Sequence, residues 1–486
     1  MDKRFISNLF KGLVSTSFGS VATIGFHFLS IMLMTRYVPK DVLGVYFLAF
    51  AIVQVLGIIS GLGLDLTLAK SVSGVERLLQ QDTVASTIAV RFISVATVGL
   101  ILYAVGRFIL PVFDIRLSDS VVIIIPLFAL TSYRDLFLRL MQGVQQFTEH
   151  AVVEVLSAAS RVILLVAFHD KLSLQGLLYI EIVSQLTEVV LQLFFMRALL
   201  FSLSPRNVRA ETVRSLTRFS APLYSNNILT LIYDRSSTFL IGALLNPASV
   251  AAFEIALKVP DGFMRLFSSF IVVYFPNLSN LFAKGNREDA HRLMNSALVL
   301  LSTGIIFLVL VTFLFAKEIV IVLFSEEYIE VSLAFALLML NFFLRAISNI
   351  QGYSLVAAGY SSAPVKANIV ASIVNIVGSL VMIRMFGYIG AVYSLLLMNL
   401  TSQVIYGVLL KRVDLAPRLL EYLKPVFLLA IALGVYWLFG ADSTLLKLLL
   451  VGFYIAGSLL FIEEIKGVLH TAMKYVFRPR ARSESA

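Results

Sequence analysis

The feature that most constrains this chain is a series of apolar segments, each about 20 residues long, that recur along nearly its whole length. Only short polar gaps separate these segments, so we expect no soluble catalytic domain between them. Of the 486 residues, 59% are hydrophobic and only 14% are charged, which is far from the composition of soluble domains. The sequence therefore predicts an all-α polytopic membrane protein.

Hydropathy predicts about fourteen transmembrane helices. The predicted spans are 13–36, 42–63, 84–106, 119–142, 151–169, 174–198, 217–243, 249–275, 293–315, 332–356, 364–385, 389–410, 424–440 and 445–462. The first is interpreted as a helix and not as a signal peptide, because its apolar run continues to about Val38 without a small-residue cleavage site. The gap at residues 321–330 is expected to hold a short interfacial helix.

Lys and Arg are distributed unevenly over the predicted loops. If the N-terminus is cytoplasmic, roughly 24 Lys and Arg residues fall on the inside and about 8 on the outside, as the positive-inside rule requires. We therefore expect a multi-pass protein of the inner or cytoplasmic cell membrane with both termini in the cytoplasm. This bias also accounts for the net charge of +10, so no nucleic-acid partner is expected.

The sequence lacks the residue patterns that thiolate sites, metal sites and ATP-hydrolysing sites require. The chain has no Cys, and its five His are scattered without metal-ligand spacing, so neither a thiolate nor a metal site is predicted. A phosphate-binding motif of the type GxxxxGK[ST] is absent, which argues against ATP hydrolysis. We expect a protein without a cofactor that is not an enzyme.

Two parts of the sequence indicate an internal repeat. YVPKDVLGVYFLAFA, from Tyr37, and LLNPASVAAFEIALK, from Leu244, both follow an apolar span and enter the next span through a polar turn that contains Pro. Matching Gly44 to Ala251 gives an offset of 207 residues, although any two helix hairpins in lipid share some of this pattern. The offset predicts two six-helix lobes in parallel orientation. In transporters built from such repeats, substrates bind near the membrane midplane between the two lobes. The predicted divisions are a lobe at 1–205, a lobe at 206–412, two further helices at 413–462 and a basic cytoplasmic tail at 463–486.

Ionisable residues are costly inside a membrane, so they commonly face a bundle interior or a water-filled cavity. Several predicted spans carry polar stripes at helical spacing. These are Glu154 and Arg161 in the fifth span, Glu181, Gln185, Glu188 and Gln192 in the sixth, Glu254, Lys258, Asp261 and Arg265 in the eighth, Asn341, Arg345 and Ser348 in the tenth, and Asn368, Ser372, Asn375 and Ser379 in the eleventh.

The stripe of the eighth span has two interpretations. Glu254 with Lys258, and Asp261 with Arg265, stand four residues apart in the favourable order, so they could form a ladder that neutralises itself. Because replacing buried ion pairs by apolar residues is often neutral or stabilising, a ladder alone gives no reason to keep the charges. We favour a water-accessible cavity wall.

Other polar residues leave alternatives open. Arg134 and Asp135 are neighbours about 100° apart on a helix, as are Asp234 and Arg235, so they are expected to staple adjacent helices or line a cavity instead of pairing with each other. Arg91 is expected to extend toward the cytoplasmic surface.

Three segments carry a resemblance to a known family. They are RYVPKDVLGVYFLAFAIVQVLGIISGLGLDLTLAK from Arg36, VAAFEIALKVP followed by FPNLSNLFAKGNREDAHRL, and the segment from Ala357 that begins AAGYSSAPVKANIVASIVNIVG. They resemble the polysaccharide-biosynthesis proteins, which are oligosaccharidyl-lipid flippases of the multidrug/oligosaccharidyl-lipid/polysaccharide export superfamily. The resemblance runs over most of residues 1 to 410, and the order and spacing of the motifs are more specific than any one of them.

This resemblance implies two lobes around a central cavity, two additional C-terminal helices, and transfer of a polyprenyl-(di)phosphate-linked glycan from the cytoplasmic to the outer leaflet. Membrane lipids and other polysaccharide-assembly proteins are the implied partners. Cationic residues of such cavities are thought to hold the anionic head group, and the candidates by position are Lys258, Arg265, Arg345, Arg235, Arg161 and Arg134. Candidate sites for a coupling proton or Na⁺ are Glu254, Asp261, Glu181 and Glu188. Some relatives carry basic residues inside the first span, where this chain offers only His27.

Three other functions compete with this one. A multidrug exporter of the same superfamily would use buried acids to bind organic cations, whereas the basic residues of the stripes favour an anionic cargo. A membrane glycosyltransferase or glycan polymerase would need a sizeable loop with catalytic acids, and no such loop or DxD motif is found. A scaffold that transports nothing is the third.

Overall fold

The computed structural model describes residues 3–73, 77–439 and 443–466, and these residues form α-helices joined by short turns and 3₁₀ segments. The predicted basic tail lies outside the described residues from position 467 onward. In chain order the α-helices are α1 (Lys3–Tyr37), α2 (Lys40–Gly61), α3 (Leu64–Val72), α4 (Arg77–Ile109), α5 (Ile115–Asp119), α6 (Val121–Gly143), α7 (Phe147–Ala167), α8 (Leu174–Leu200), α9 (Ala210–Leu244), α10 (Pro247–Ala283), α11 (Arg287–Leu323), α12 (Ser332–Ala357), α13 (Ser362–Phe386), α14 (Tyr388–Arg412), α15 (Leu419–Phe439) and α16 (Thr444–Phe461).

The predicted membrane helices are confirmed. Each predicted span lies within one helix or extends past its end by no more than two residues. Among the described residues, twelve helices are long and apolar enough to cross a membrane. The other two predicted spans lie in α1, of which the segment Val21–Tyr37 is apolar, and in α9, whose hydropathy is lowered by charges such as Asp234 and Arg235.

The chain divides into two compact units. The first unit comprises Met1–Ile255, Leu323–Glu326 and Ser379–Ala391, and the second comprises Ala256–Val322, Glu327–Gly378 and Val392–Ala486. A core cluster of the first unit lies among α3, α4, α6, α7 and α8, where Leu68, Leu136 and Met141 are almost completely buried. The boundaries of the predicted lobes and C-terminal helices remain a prediction.

The helix bounds repeat at the offset that the sequence suggests. α9 begins and ends 207 residues after α1, and α10 begins 207 residues after α2. Both second helices begin next to a proline, Pro39 before α2 and Pro247 at the first residue of α10. Proline suits the first helical turn because it has no N–H group to leave unpaired there.

Two glycines allow backbones of the first unit to approach closely. A Cβ atom on Gly44 of α2 would lie 1.7 Å from the carbonyl oxygen of Pro247, which no side chain tolerates. Between α2 and α3 the chain turns through Leu62 and Gly63, both with positive φ, and a Cβ on Gly63 would lie 2.7 Å from the carbonyl oxygen of Ser220. These contacts hold α2 against the start of α10 and the turn before α3 against α9.

Loops that the sequence predicts on the same side of the membrane contact each other. In the first unit, Arg116 Nη1 lies 2.7 Å from Asp41 Oδ2 on the predicted outer side, and Arg209 Nε lies 3.0 Å from Asp82 Oδ2 on the predicted inner side. Partial burial by itself raises the pKa of Asp114, but the hydrogen bonds from Arg116 lower this pKa by a larger amount. The pKa of Asp114 therefore lies below its ordinary value. In the second unit, the His291 side chain contacts the backbone of Ala416, again between two loops predicted inside.

Candidate functional site

A network of buried polar groups links three helices of the first unit. Arg161 of α7 places its Nε 3.2 Å from the Glu181 carboxylate of α8, and its Nη2 donates to the Tyr46 hydroxyl of α2 at 2.7 Å. The Tyr46 hydroxyl donates in turn to Glu181 Oε2 at 3.2 Å. All three side chains lie inside apolar helices, and the Glu181 side chain is only 6% exposed. We call Tyr46, Arg161 and Glu181 the Arg161 network.

The polar contacts continue along α8 by one and two helical turns. Gln185 donates to Glu181 at 3.4 Å and accepts a hydrogen bond of 2.6 Å from Thr131 of α6. Glu188 is buried and accepts a hydrogen bond of 3.1 Å from Ser157 of α7. The predicted stripe of the sixth span therefore faces α6 and α7 and forms hydrogen bonds with both helices.

Arg134 pairs with its sequence neighbour, contrary to the expectation from helix geometry. Its Nη2 lies 2.8 Å and its Nε 3.1 Å from the Asp135 Oδ1 atom. The expectation was wrong because it compared the directions of the Cβ atoms, whereas the long Arg side chain spans the 100° between them. Arg134 is also attracted by the carboxylates of Glu188 and Glu181, which lie on α8.

A second group of charges joins α9 to the beginning of α10 within the first unit. Arg235 Nη1 lies 3.5 Å from Glu254 Oε1, and the Thr238 hydroxyl donates to the same oxygen at 2.7 Å. The Glu254 side chain is 4% exposed and that of Arg235 is 27% exposed. Glu254 thus contacts the preceding helix of the hairpin. The unit boundary after Ile255 separates it from the other three charges of its stripe.

The remaining candidates lie in the second unit. Lys258 and Asp261 of α10 and Arg345 of α12 are half-buried, and Arg265 of α10 is exposed. Lys258, Asp261 and Arg265 follow one another at three and four residues along a continuous helix, so they share one face, as predicted. Whether this face lines a cavity stays a prediction.

Arg91 does not extend to the surface. Its side chain is 1% exposed and forms an ion pair with Asp65, which lies in α3. The Arg91 Nη1 atom is also 3.5 Å from the Ser132 hydroxyl of α6. The expectation was wrong because the sequence does not predict α3, which supplies the carboxylate that offsets the cost of burying the guanidinium.

Sequence reasoning missed the hydroxyl groups that complete both charged clusters. Tyr46 and Thr238 are ordinary residues of apolar spans, and neither carries a charge that singles it out. One signal was available for Tyr46, because it lies in the repeated segment that follows Pro39. Among the described residues, no group of three or more His, Asp or Glu side chains fits a metal ion.

Comparison with sequence families decides the classification of the chain. The sequence model described as "Polysaccharide biosynthesis protein" matches residues 9–282, which is more than half of the chain. The chain belongs to the polysaccharide biosynthesis protein family. The MatE family model also matches this family member, at residues 222–381.

This polysaccharide biosynthesis protein is also similar to several other proteins. It is 23% identical over 416 residues to the "probable low-salt glycan biosynthesis flippase Agl15" of Haloferax volcanii, covering 83% of this chain and 81% of the relative. The lipid II flippase MurJ in an inward closed conformation matches with a TM-score of 0.74 at 15% identity, over 94% of this chain and all of that one. An inward-facing multidrug resistance MATE transporter matches with a TM-score of 0.70 at 12% identity, over 83% and 98% of the two chains. The fold is therefore the two-lobed helical fold of these transporters.

Proposed function

We propose that this protein is a flippase that moves a polyprenyl-(di)phosphate-linked oligosaccharide from the cytoplasmic to the outer leaflet for surface polysaccharide biosynthesis. Membership of the polysaccharide biosynthesis family supports this function. Two similar proteins, Agl15 and MurJ, bear names that state glycan or lipid II flipping. The protein works by alternating access and is a transporter, not an enzyme.

The observation that carries the proposal is the Arg161 network. A guanidinium group buried inside apolar helices is costly unless it is paired, and here Glu181 and Tyr46 provide the pairing. Charge-assisted hydrogen bonds from Arg are well suited to a phosphate because the guanidinium presents several donors in one plane. A diphosphate that reaches Arg161 can replace Glu181 as its partner, so the cation is never left without a counter-charge.

The other charged candidates extend this proposal. Lys258, Arg265, Arg345, Arg235 and Arg134 bind the head group at successive stages of transfer. Glu181, Glu188, Glu254 and Asp261 accept a proton or bind Na⁺ when the cargo takes their place beside the cations, which couples transport to an ion gradient. The protein resides in the cell membrane with both termini in the cytoplasm and works with other polysaccharide-assembly proteins.

A reconstituted flipping assay tests the function. Purified protein is placed in vesicles that contain a fluorescent polyprenyl-diphosphate oligosaccharide, and a quencher that cannot cross the membrane reports the fraction in each leaflet. We expect redistribution well above that of protein-free vesicles. Redistribution at the protein-free rate, under every ion gradient applied, contradicts the proposal.

The alternative function is export of organic cations. It is favoured by the match of the MatE family model at residues 222–381 and by the carboxylate of Glu188, which is buried in the first unit. The same vesicles loaded with a fluorescent organic cation distinguish the two functions. Cation efflux without lipid redistribution would establish the exporter and exclude the flippase.

A further inference from the structure

Two helices of the second unit, α10 and α12, run side by side in the same direction. The rings of Phe263 and Phe342 stack with centroids 6.1 Å apart. Eleven residues further along α10, the Tyr274 hydroxyl lies 2.8 Å from the hydroxyl of Ser354, twelve residues further along α12. From the first contact to the second, the residue numbers rise on both helices. The two helices are therefore parallel.

An open groove of about 310 Å³ lies between the later parts of these two helices. α10 contributes Phe267, Ile271, Val272 and Phe275 to its walls, and α12 contributes Asn349 and Tyr353. Val272 is 68% exposed and Tyr353 is 40% exposed, so one side of the groove is open to the surroundings. The volume is at the lower end of small-ligand sites, which suits a segment of an apolar chain better than a whole lipid.

Both helices carry an arginine at the same end of the groove. On α10, Arg265 precedes the groove residues Ser268, Val272 and Pro276 at intervals of three, four and four, which places them on one helix face.

On α12, Arg345 precedes Asn349 and Tyr353 at intervals of four and four. Because the helices are parallel, the two arginines stand at matching levels, just beyond the Phe263 and Phe342 contact. The groove therefore has a cationic end and an apolar body.

We propose that this groove, the α10/α12 groove, binds the first isoprenoid units of a polyprenyl phosphate, with Arg265 and Arg345 at the phosphate end. The inference rests on the proposed function and identifies where the lipid part of the cargo binds. Burying an acyl or prenyl chain against the aromatic walls removes apolar surface from water, which is favourable whatever head group the lipid carries. The two guanidinium groups add selectivity for a lipid whose negative charge lies immediately next to its apolar chain, because they form strong bonds with phosphate.

Photochemical labelling of the full-length protein tests this site without a transport measurement. The probe is a polyprenyl phosphate with a diazirine on one of its first isoprenoid units, added to purified protein in detergent. We expect label on the α10 segment 267–276 and on α12 near Tyr353, and competition by unmodified polyprenyl phosphate. Label found mainly elsewhere, or equal competition by phosphatidylglycerol, would overturn the site in favour of a general lipid surface.

Val272 and its neighbour Val273 provide a matched pair of variants. Both are valines exposed by 68% and 64%, but only Val272 lines the groove. Val272→Trp fills the groove and should reduce labelling about tenfold, whereas Val273→Trp should leave it unchanged. Ser268→Trp, one turn closer to Arg265, gives a second test should Val272→Trp fail to fold. Equal labelling of the Trp variants and the control contradicts the proposal.

The arginines are tested by their selectivity. Wild-type protein should prefer the polyprenyl phosphate probe over the uncharged polyprenol probe by about tenfold or more, since hydrogen bonds to charged groups are strong. Arg265→Gln with Arg345→Gln should bring this ratio close to one. An unchanged ratio would show that the two arginines do not contact the phosphate. Labelling of the groove by a protein that does not flip lipid in vesicles would support the site and contradict the proposed function, so the two failures are distinguishable.

Discussion

At the scale of single residues, Arg161 and Glu181 are expected to depend on each other. Removing one member of a buried ion pair leaves an uncompensated charge and typically costs about 3–5 kcal/mol of stability. Removing both should cost much less than the sum, because neither charge is then left alone. Thermal unfolding of Arg161→Ala, Glu181→Ala and the double variant measures this coupling. Additive losses would show that the pair makes no energetic contribution in the folded protein.

The hydroxyl group of Thr238 is expected to stabilise the Glu254 carboxylate. Thr238→Val keeps the shape of the side chain but removes the donor of the 2.7 Å bond, so we expect a loss of about 1.5–3 kcal/mol. Thr238→Ser keeps the hydroxyl and should lose less. Denaturant unfolding of the two variants in the same detergent makes the comparison, and a Ser variant as unstable as the Val variant would contradict the hydrogen-bond explanation.

Sequence predicted which ionisable residues lie in the apolar spans, but not which of them meet. Helix spacing places Glu181 and Glu188 on one face, and the structure shows that this face meets α6 and α7. The partners are chosen by packing between helices distant in sequence, such as Tyr46 with Arg161. Arg134 and Arg91 show the limit clearly, because a flexible side chain and an unpredicted helix decide their contacts.

At the scale of helices, the contact of α2 with the start of α10 depends on a residue without a side chain. Gly44→Ala would place a Cβ atom on the Pro247 backbone and force the two helices apart, so we expect a clear loss of thermal stability. At Gly57, on the same helix, an added Cβ atom would meet no heavy atom of the described residues within 4 Å. Gly57→Ala should therefore be neutral or stabilise by up to about 1 kcal/mol. Equal effects of the two variants would contradict the close packing.

The membrane helices were predictable because their length and hydropathy are direct requirements of the bilayer. The nine-residue helix α3 was not, because a short helix with polar residues such as Asp65 and Lys70 has no comparable signal. The turn at Leu62 and Gly63 that separates it from α2 follows no proline or charge pattern. Short elements of this kind are specified by tertiary packing more than by local sequence.

At the scale of the whole molecule, the charge distribution predicts which loops face the cytoplasm. The native chain has no Cys, so single cysteines report exposure directly. Asp170→Cys should react with a membrane-impermeant thiol reagent in intact cells, because its side chain is 84% exposed on a predicted outer loop. Asn286→Cys, on an exposed predicted inner loop, should react only after permeabilisation. The reverse labelling pattern would show that the protein has the opposite orientation in the membrane from the one predicted.

The repeat shows how far the whole fold could be predicted. The offset of 207 residues from two short motifs reappears in the ends of α1 and α9 and in the starts of α2 and α10. Sequence could not predict how tightly the helices pack, as at Gly44 and Pro247, because that depends on distances between backbones. The groove between α10 and α12 was beyond prediction for the same reason.

The central claim is that cations within the membrane helices carry an anionic lipid-linked glycan, and the flipping rate of paired charge variants tests it most directly. Lys258→Ala with Arg265→Ala removes two of these cations, and Lys284→Ala with Arg287→Ala removes two exposed cations at the turn between α10 and α11. In vesicles with equal amounts of folded protein, we predict that the first variant loses most of the flipping of polyprenyl-diphosphate oligosaccharide and that the second keeps it. Wild-type flipping in the first variant would contradict the claim.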